Sequence, residues 1–244
     1  MPPSRPPLRP GHRQYGAALL LLLLTLSLGA ATLLMAQFDG GRRNAEQLRR
    51  TLLSLAAAKE ALVGYAMTHG RLPRPASSAT DGQENPAACT SEASCTGFLP
   101  WVTLGIDGGD GWAKLLRYSV TPSFTRAPLK PASVSANKRI WGRGDQGASY
   151  LLAGQGNCAA LETCAPAVIF STGKARLGTS AQGTALANSG TGNLDELQNN
   201  NGYNDFISRV PSDAGVPGGE FDDLVTWIPL RPLLLRMNAA GALF

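Results

Sequence analysis

Histidine and charge are both scarce in this sequence, and each shortage excludes a class of function. Charged residues are 16% of the chain, a low share for a soluble domain. Only two histidines occur among 244 residues, His12 and His69. A zinc site built from several histidines is therefore excluded, and a Ser-His-Asp or Cys-His enzyme would have to use His69 alone. The scarcity of histidine thus excludes or restricts these enzyme classes, and the low share of charge argues against a simple cytosolic protein.

Positive charge is also not concentrated on the part of the chain that is expected to fold. The formal net charge is +5, but Arg5, Arg9 and Arg13 stand near the N-terminus with no acid beside them. Removing these three from the 22 basic residues leaves 19 against 17 acids, a net charge of +2. A nucleic-acid-binding domain clusters lysine and arginine on its folded surface, so we expect no nucleic-acid partner.

The most prominent feature present is an uncharged run over residues 14–38, which comprises 25 residues and includes ten leucines. A membrane-spanning helix needs roughly 20 apolar residues, so this run is long enough to span a bilayer. The arginines before it and Asp39 after it predict a cytoplasmic N-terminus and an exported remainder. A cleaved signal peptide ending near Ala31 is the alternative, although the apolar residues continue past that site.

An amphipathic helix is predicted to follow the apolar run, over residues 44–69. Its apolar face is predicted from residues that recur near a 3.5-residue spacing: Leu48, Leu52, Leu55, Leu62, Val63 and Ala66. Gly40 and Gly41 separate the two helical parts. Because each glycine costs about 1 kcal/mol within a helix, we expect a kink or a locally melted turn there.

Several short stretches resemble the type IV pilins and the pseudopilins of type II secretion. The first is a basic segment that ends in glycine just before the apolar run, Arg13-Gln14-Tyr15-Gly16-Ala17. The others are Ala58-Lys59-Glu60-Ala61-Leu62, Gly70-Arg71-Leu72-Pro73, Leu99-Pro100-Trp101, Thr103-Leu104-Gly105, Asp110-Gly111-Trp112, Leu116-Arg117-Tyr118 and Phe221-Asp222-Asp223-Leu224-Val225-Thr226-Trp227. The resemblance implies cleavage by a prepilin peptidase between Gly16 and Ala17, methylation of the new amine, and assembly with other pilin-like subunits through the N-terminal helix.

One position departs from the pilin pattern in a way that bears on assembly. Pilins usually carry a glutamate at the fifth residue after the cut, where this sequence has Leu21. In the family, that carboxylate is thought to neutralise the N-terminal amine of a neighbouring subunit inside the apolar filament core. A subunit without it leaves a buried amine unpaired, which is costly. The resemblance therefore implies that Leu21 determines the subunit's position, at the filament tip and in low copy number.

The exported part is expected to have an α+β fold, with the long N-terminal helix packed on a small antiparallel sheet as in pilins. After Gly70 the pattern changes to short apolar runs between turn signals, which is typical of strands. Residues 178–204 are rich in glycine, asparagine and serine and predict a long loop. The predicted segments are a basic leader, a membrane-spanning half-helix, an amphipathic half-helix and a periplasmic globular domain: 1–16, 17–38, 39–70 and 71–244.

The four cysteines form two pairs with the same spacing, Cys89 with Cys95 and Cys158 with Cys164. Three pairings are possible, and we favour the two local ones because disulfides are the expected state in an exported chain. Each would close a loop of about seven residues and add roughly 2 kcal/mol of stability. A zinc site with four cysteine ligands is the competing interpretation, although such sites use shorter spacings and are mainly intracellular.

Acidic residues in loops raise the hypothesis of a calcium site, because some of the pseudopilins that the chain resembles bind calcium near the C-terminal part of the sheet. Oxygen ligands suit calcium, although no EF-hand spacing is present. Asp222 and Asp223 are the two candidates that we single out. The other acids considered are Asp107, Asp110, Asp195, Glu196 and Glu220.

Together these features predict a non-catalytic pilin-like subunit of a type II secretion or type IV pilus machine, held in the bacterial inner membrane before it joins a filament. The main alternative is a membrane-tethered or secreted periplasmic enzyme or binding protein, for which the apolar run is only an anchor or a signal. The N-terminus of the mature protein distinguishes the two, because a tether needs no peptidase junction.

Overall fold

A computed structural model of the protein describes residues 15–131, 134–144, 146–158, 163–190 and 192–243, without the side chains of residues 15–18 and 31–39. The predicted leader, residues 1–16, therefore lies outside the described residues except for its last two positions. The chain divides into two units, Met1–Glu46 and Gln47–Phe244. The second unit thus begins inside the segment that the sequence predicts as an amphipathic half-helix.

The first helix, α1, comprises Tyr15–His69. In the first unit its described leucines are exposed, from Leu19 to Leu28. Gly40 and Gly41 are helical, so the locally melted turn predicted there does not occur. Extending an existing helix is far less costly than nucleating one, and a long helix can therefore absorb two glycines. Among the described residues, no helix has an apolar stretch long enough to cross a membrane.

The remaining elements, in chain order, are β1 (Thr96–Phe98), α2 (Trp101–Leu104), β2 (Arg117–Val120), a 3₁₀ helix (Pro122–Thr125), β3 (Arg139–Arg143), β4 (Ser149–Ala153), β5 (Ala167–Ser171), β6 (Gly178–Thr179), β7 (Ala185–Leu186), α3 (Leu194–Asn201), β8 (Asp205–Ile207), β9 (Leu224–Ile228) and α4 (Leu230–Ala239). All of them belong to the second unit. The α+β fold predicted from the sequence is thereby confirmed at this coarse level.

The main sheet is antiparallel and has the strand order β1-β2-β5-β9. A second sheet, β4-β3-β8, contains a parallel pair, β3 with β8, which the sequence analysis does not anticipate. One apolar core lies between the main sheet, α1 and α4, and it includes Leu62, Tyr118 and Met237. A smaller core on the other face includes Phe170 of β5 and Phe206 of β8. Every residue of β5 is buried because both faces of this central strand are covered.

The buried face of α1 differs in part from the predicted one. Leu55, Leu62, Val63 and Ala66 are buried as expected, but Leu48 and Leu52 are 37% and 52% exposed. Ala58, which the predicted face does not include, is fully buried. A small side chain such as alanine adds little to a hydropathy pattern, although it can fill a place in a close-packed core.

The long loop predicted over residues 178–204 is wrong in part, because this segment contains the β6–β7 hairpin and the helix α3. The helix buries polar side chains, among them Asp195. The carboxylate of Asp195 forms ion pairs with Arg143 and, at 2.7 Å, with Arg209. A hydropathy pattern detects buried apolar residues but not buried ion pairs, so nothing in it indicates this helix.

Both local disulfides predicted from the sequence are confirmed. Cys89 is bonded to Cys95 and Cys158 to Cys164, with Cα–Cα distances of 5.1 and 5.6 Å. No free cysteine remains among the described residues. The competing zinc interpretation is excluded in this structure because a disulfide sulfur is not a thiolate ligand.

Candidate functional site

Three carboxylates converge where α3 lies near the start of β9. Glu196 is in the first turn of α3, and Asp222 and Asp223 immediately precede β9. One carboxylate oxygen from each residue lies within 4.8 Å of the corresponding oxygens of the other two. Glu196 is fully buried and Asp223 is 3% exposed. The cluster therefore contains both acids singled out from the sequence and one of the others considered there.

Backbone and amide donors hold the carboxylates in place. The backbone N–H of Asp222 donates to Glu196 Oε1 at 2.8 Å. The side-chain amide of Asn193 donates to Glu196 Oε2 at 2.7 Å, and that of Asn199 donates to Asp223 Oδ2 at 2.8 Å. Among the described residues, Asp222 Oδ1 and Asp223 Oδ1 are buried without a hydrogen-bond partner. Two of the carboxylate oxygens are thus left to accept another donor or a cation.

The turn between β5 and β6 closes over Asp222. The backbone N–H of Ala175 donates to Asp222 Oδ2 at 2.8 Å. Gly173 in this turn has a φ of +59°, and a Cβ there would lie 1.8 Å from Asp222 Oδ1. Glycine is therefore needed at this position both for the left-handed backbone and for the space that the carboxylate occupies.

A buried lysine supports the same turn and interacts electrostatically with the cluster. Lys114 is 3% exposed, and the carboxylates of the cluster act on its charge. Its ammonium donates to the backbone carbonyls of Thr172, Ala175 and Leu177, at 2.6, 2.9 and 3.2 Å. The Lys114 ammonium thus binds the carbonyl groups of this turn, and the Asp222 carboxylate accepts from its backbone N–H at Ala175.

Asp110 positions the lysine. Its Oδ1 accepts from the backbone N–H groups of Trp112 and Lys114, both at 2.8 Å. Its Oδ2 accepts from the Ser171 hydroxyl at 2.6 Å. Asp110 therefore joins the turn before β2 to the end of β5, rather than serving as a ligand in the carboxylate cluster.

Burial raises the pKa of all three clustered carboxyl groups. The pKa of Asp223 lies well above its ordinary value because the group is desolvated; the Asn199 amide opposes the shift and the neighbouring carboxylates add to it. Desolvation is likewise the main cause of the raised pKa of Glu196 and of Asp222. Burial also lowers the pKa of Lys114, although the nearby acids oppose that shift. The clustered carboxylates face the buried ammonium of Lys114, and the exposed ammonium of Lys174 also acts on Asp222. Three carboxylates still outnumber these two cations, and a proton or a metal cation would relieve the excess negative charge.

The donor set of the cluster fits the calcium ion that the sequence analysis raises as a hypothesis. Calcium takes six to eight oxygen ligands from carboxylates, carbonyls and waters. Glu196, Asp222 and Asp223 offer only oxygen, and two of these oxygens are buried without a partner. A softer metal that prefers nitrogen or sulfur would find neither in these side chains.

The remaining acids considered for calcium lie outside the cluster. Asp195 is held by two arginines, as described above, and Asp107 accepts from the backbone N–H of Gly109 at 3.0 Å. Glu220 contributes only by raising the pKa of Glu196. At the other end of the chain, Gly16 and Ala17 lie in the first turn of α1, and Leu21 is exposed.

Sequence reasoning missed Lys114, Asn193 and Asn199. The only signal near the lysine is the Asp110-Gly111-Trp112 stretch that precedes it. Thr172, whose carbonyl accepts from the lysine, is 58 positions further along the chain. No local pattern can connect groups at such a separation.

Comparison with known proteins assigns the chain to no family: no protein-family model, no curated protein and no solved structure matches it. Its function is therefore argued from the residues and contacts described above.

Proposed function

We propose that this chain is a non-catalytic pilin-like subunit of a type II secretion or type IV pilus machine. The observation that carries the proposal is the uncharged run of residues 14–38, which opens α1, a helix whose last residues belong to an α+β unit. The subunit would be held in the bacterial inner membrane, with its N-terminus in the cytoplasm and the second unit in the periplasm, before entering a filament. Its two disulfides support an exported unit, since such bonds persist in oxidising compartments.

Processing by prepilin peptidase would cut the bond between Gly16 and Ala17. This bond lies among the first described residues of α1, directly before the uncharged leucine-rich part of the run. The new amine on Ala17 would then be methylated.

Mass spectrometry of the mature N-terminus tests this step. We expect the chain to begin at methylated Ala17, and we expect Gly16→Leu to leave the uncut precursor because the peptidase pocket accepts only a small residue. Gly29→Leu is the matched control, since the same side chain is added at a helical glycine with open space around it; this variant should be cut normally. A mature N-terminus at Thr32 would identify a signal peptide instead, and an uncut wild-type chain would identify a simple tether.

Leu21 would place the subunit at the filament tip. An incoming subunit brings a positive N-terminal amine into apolar surroundings, where a carboxylate on its neighbour would form a charge-assisted hydrogen bond. Leucine offers no such partner. We therefore expect a low copy number, and Leu21→Glu should permit incorporation along the shaft. Counting subunits in isolated filaments tests this, and wild-type abundance equal to that of the main subunit would exclude the tip position.

Within this function, the carboxylate cluster would hold calcium and stabilise the periplasmic unit. A ligand present at 100 times its dissociation constant adds about 2.7 kcal/mol to stability. For a domain of this size that corresponds to a rise of roughly 5–11 °C in Tm. Asp223→Asn should abolish the rise, whereas Asp213→Asn, which removes an exposed carboxylate, should retain it. Equal melting temperatures of the full chain in calcium and in a chelator would exclude the site.

A further inference from the structure

Arg117, the first residue of β2, differs from the other partly buried arginines of the second unit because it has no acidic partner among the residues that the structure describes. Its guanidinium carbon lies 5.1 Å from the centroid of the Phe98 ring on the neighbouring strand β1. Its Nε is buried and has no hydrogen-bond partner among the described residues. Desolvation lowers the pKa of this guanidinium, and no acidic group opposes the shift. The other partly buried arginines are paired: Arg71 and Arg74 with Glu84, Arg139 with Asp205, and Arg143 and Arg209 with Asp195.

Arg117 is half-buried, and of its guanidinium nitrogens only Nε is both buried and without a partner among the described residues. A guanidinium carries five N–H donors in a planar fork, and the Phe98 ring that it contacts accepts no ordinary hydrogen bond from it. Donors of Arg117 are therefore left to bind a further acceptor.

The guanidinium lines a cavity of about 390 Å³ beside the edge of β1. Among the described residues that line it, Arg117 is the only charged one; the others include Pro75, Ala76, Asn85, Ser94 and Phe98. The cavity is therefore apolar on part of its surface, positive at one point, and free of carboxylates in its described lining. This is the arrangement expected for a small organic anion.

The walls of the cavity are held in place by the fold. On one side, Ala76 and Phe98 exchange backbone hydrogen bonds of 2.9 and 3.1 Å. On another side, Ser94 belongs to the loop closed by the Cys89–Cys95 disulfide. A site with fixed walls binds without having to order itself first, which favours a ligand of defined shape.

We propose that this cavity binds the carboxylate of a small organic acid through Arg117, with the apolar body of the ligand against Phe98 and Pro75. A planar carboxylate matches the fork of a guanidinium, which can donate two parallel hydrogen bonds to it. The single positive charge of the lining matches a monovalent carboxylate better than a divalent phosphate. The site lies on the second unit and does not depend on the proposed assembly into a filament.

The test is an NMR titration of the ¹⁵N-labelled full chain in detergent micelles, followed at the Arg117 Nε–Hε signal and at the backbone amide of Gly97. The probes are N-acetyl-phenylalanine and its amide, which differ only in the carboxylate. We expect saturable shifts with the acid in the millimolar range and binding at least tenfold weaker with the amide. Equal binding of the two probes, or no saturable shift with either, would overturn the proposal.

Two further probes identify the source of the carboxylate and check the charge match. Benzoate binding as tightly as N-acetyl-phenylalanine would point to free small acids, and a preference for N-acetyl-phenylalanine would point to the C-terminus of a peptide; both results support a carboxylate site. Inorganic phosphate binding more tightly than either acid would contradict it.

Substitutions locate the site. Arg117→Gln should remove the difference between acid and amide, measured at Gly97, whereas Arg126→Gln should retain it because this exposed arginine does not line the cavity. Arg117→Lys keeps the charge but loses the planar fork, and it should weaken binding of the acid several-fold. If Arg117→Gln does not fold, this lysine variant carries the test, and unchanged affinity in it would contradict bidentate recognition.

Discussion

Replacing Lys114 by methionine tests whether the buried ammonium holds the turn between β5 and β6. Methionine keeps most of the length and the apolar stem of lysine but has no donor and no charge. In the wild-type protein the ammonium is within 3.2 Å of three backbone carbonyls, and it is the cation on which the clustered carboxylates act. The substitution therefore removes one partner from a network that is otherwise left buried.

The expected loss of stability follows from these contacts. Each buried acceptor left without a donor costs about 1–3 kcal/mol, and removing one partner from a buried charged pair costs about 3–5 kcal/mol in all. Relaxation of the turn toward water limits the total, so we expect about 3–5 kcal/mol. At about 2–4 °C per kcal/mol for a unit of this size, Tm should fall by roughly 6–20 °C.

The assay is thermal unfolding of the full chain in detergent, followed by near-UV circular dichroism without calcium and with the disulfides intact. All four tryptophans belong to the second unit, so the signal reports its packing. Lys174→Met is the matched control, because Lys174 is exposed but its charge also acts on Asp222. That variant should change stability by less than about 0.5 kcal/mol. Equal effects of the two variants would refute the role assigned to the buried ammonium.

Three further predictions concern other buried groups. Because the folded-state pKa of Asp223 is raised, the wild type should lose stability as pH rises from about 4 toward neutrality; Asp223→Asn should flatten this dependence of Tm on pH, and an unchanged slope would contradict the account. Burial opposes ionisation of Glu84, but hydrogen bonds from Arg71, Arg74 and Tyr65 outweigh it and lower its pKa. The ionised Glu84 should thus contribute to the free energy of unfolding above about pH 4.5, and this contribution should disappear as pH falls through the lowered pKa. Glu84→Gln should therefore reduce the free energy of unfolding by about 2–4 kcal/mol at pH 7 and by much less near pH 3. Replacing both Cys89 and Cys95 by alanine should cost about 2 kcal/mol in denaturant unfolding, whereas no loss would show that the closed loop does not restrict the unfolded chain.

Features that depend on neighbouring residues were determined by the sequence alone. The α+β class follows from a long helical pattern and then short strands separated by turn residues. The two disulfides follow from equal short spacings, because a loop of this length brings its own ends together whatever the rest of the chain does. Asp222 and Asp223 are adjacent in the chain, and so the sequence already placed two of the three clustered carboxylates.

Only the tertiary structure decided which helix face is buried and which polar groups lose their water. Ala58 is fully buried although the predicted apolar face of α1 does not include it, whereas Leu48 and Leu52 of that predicted face are exposed. Glu196 joins the two aspartates, and Lys114 finds its carbonyl partners, through contacts between segments far apart in the chain. The Nε of Arg117 is buried without a hydrogen-bond partner among the described residues, and this too can be seen only once the neighbouring elements are in place. Whether a charged side chain loses its water depends on the elements that pack around it in the folded protein. This desolvation changes the pKa of the group and its need for a partner, and so it makes an ordinary charged residue a candidate site.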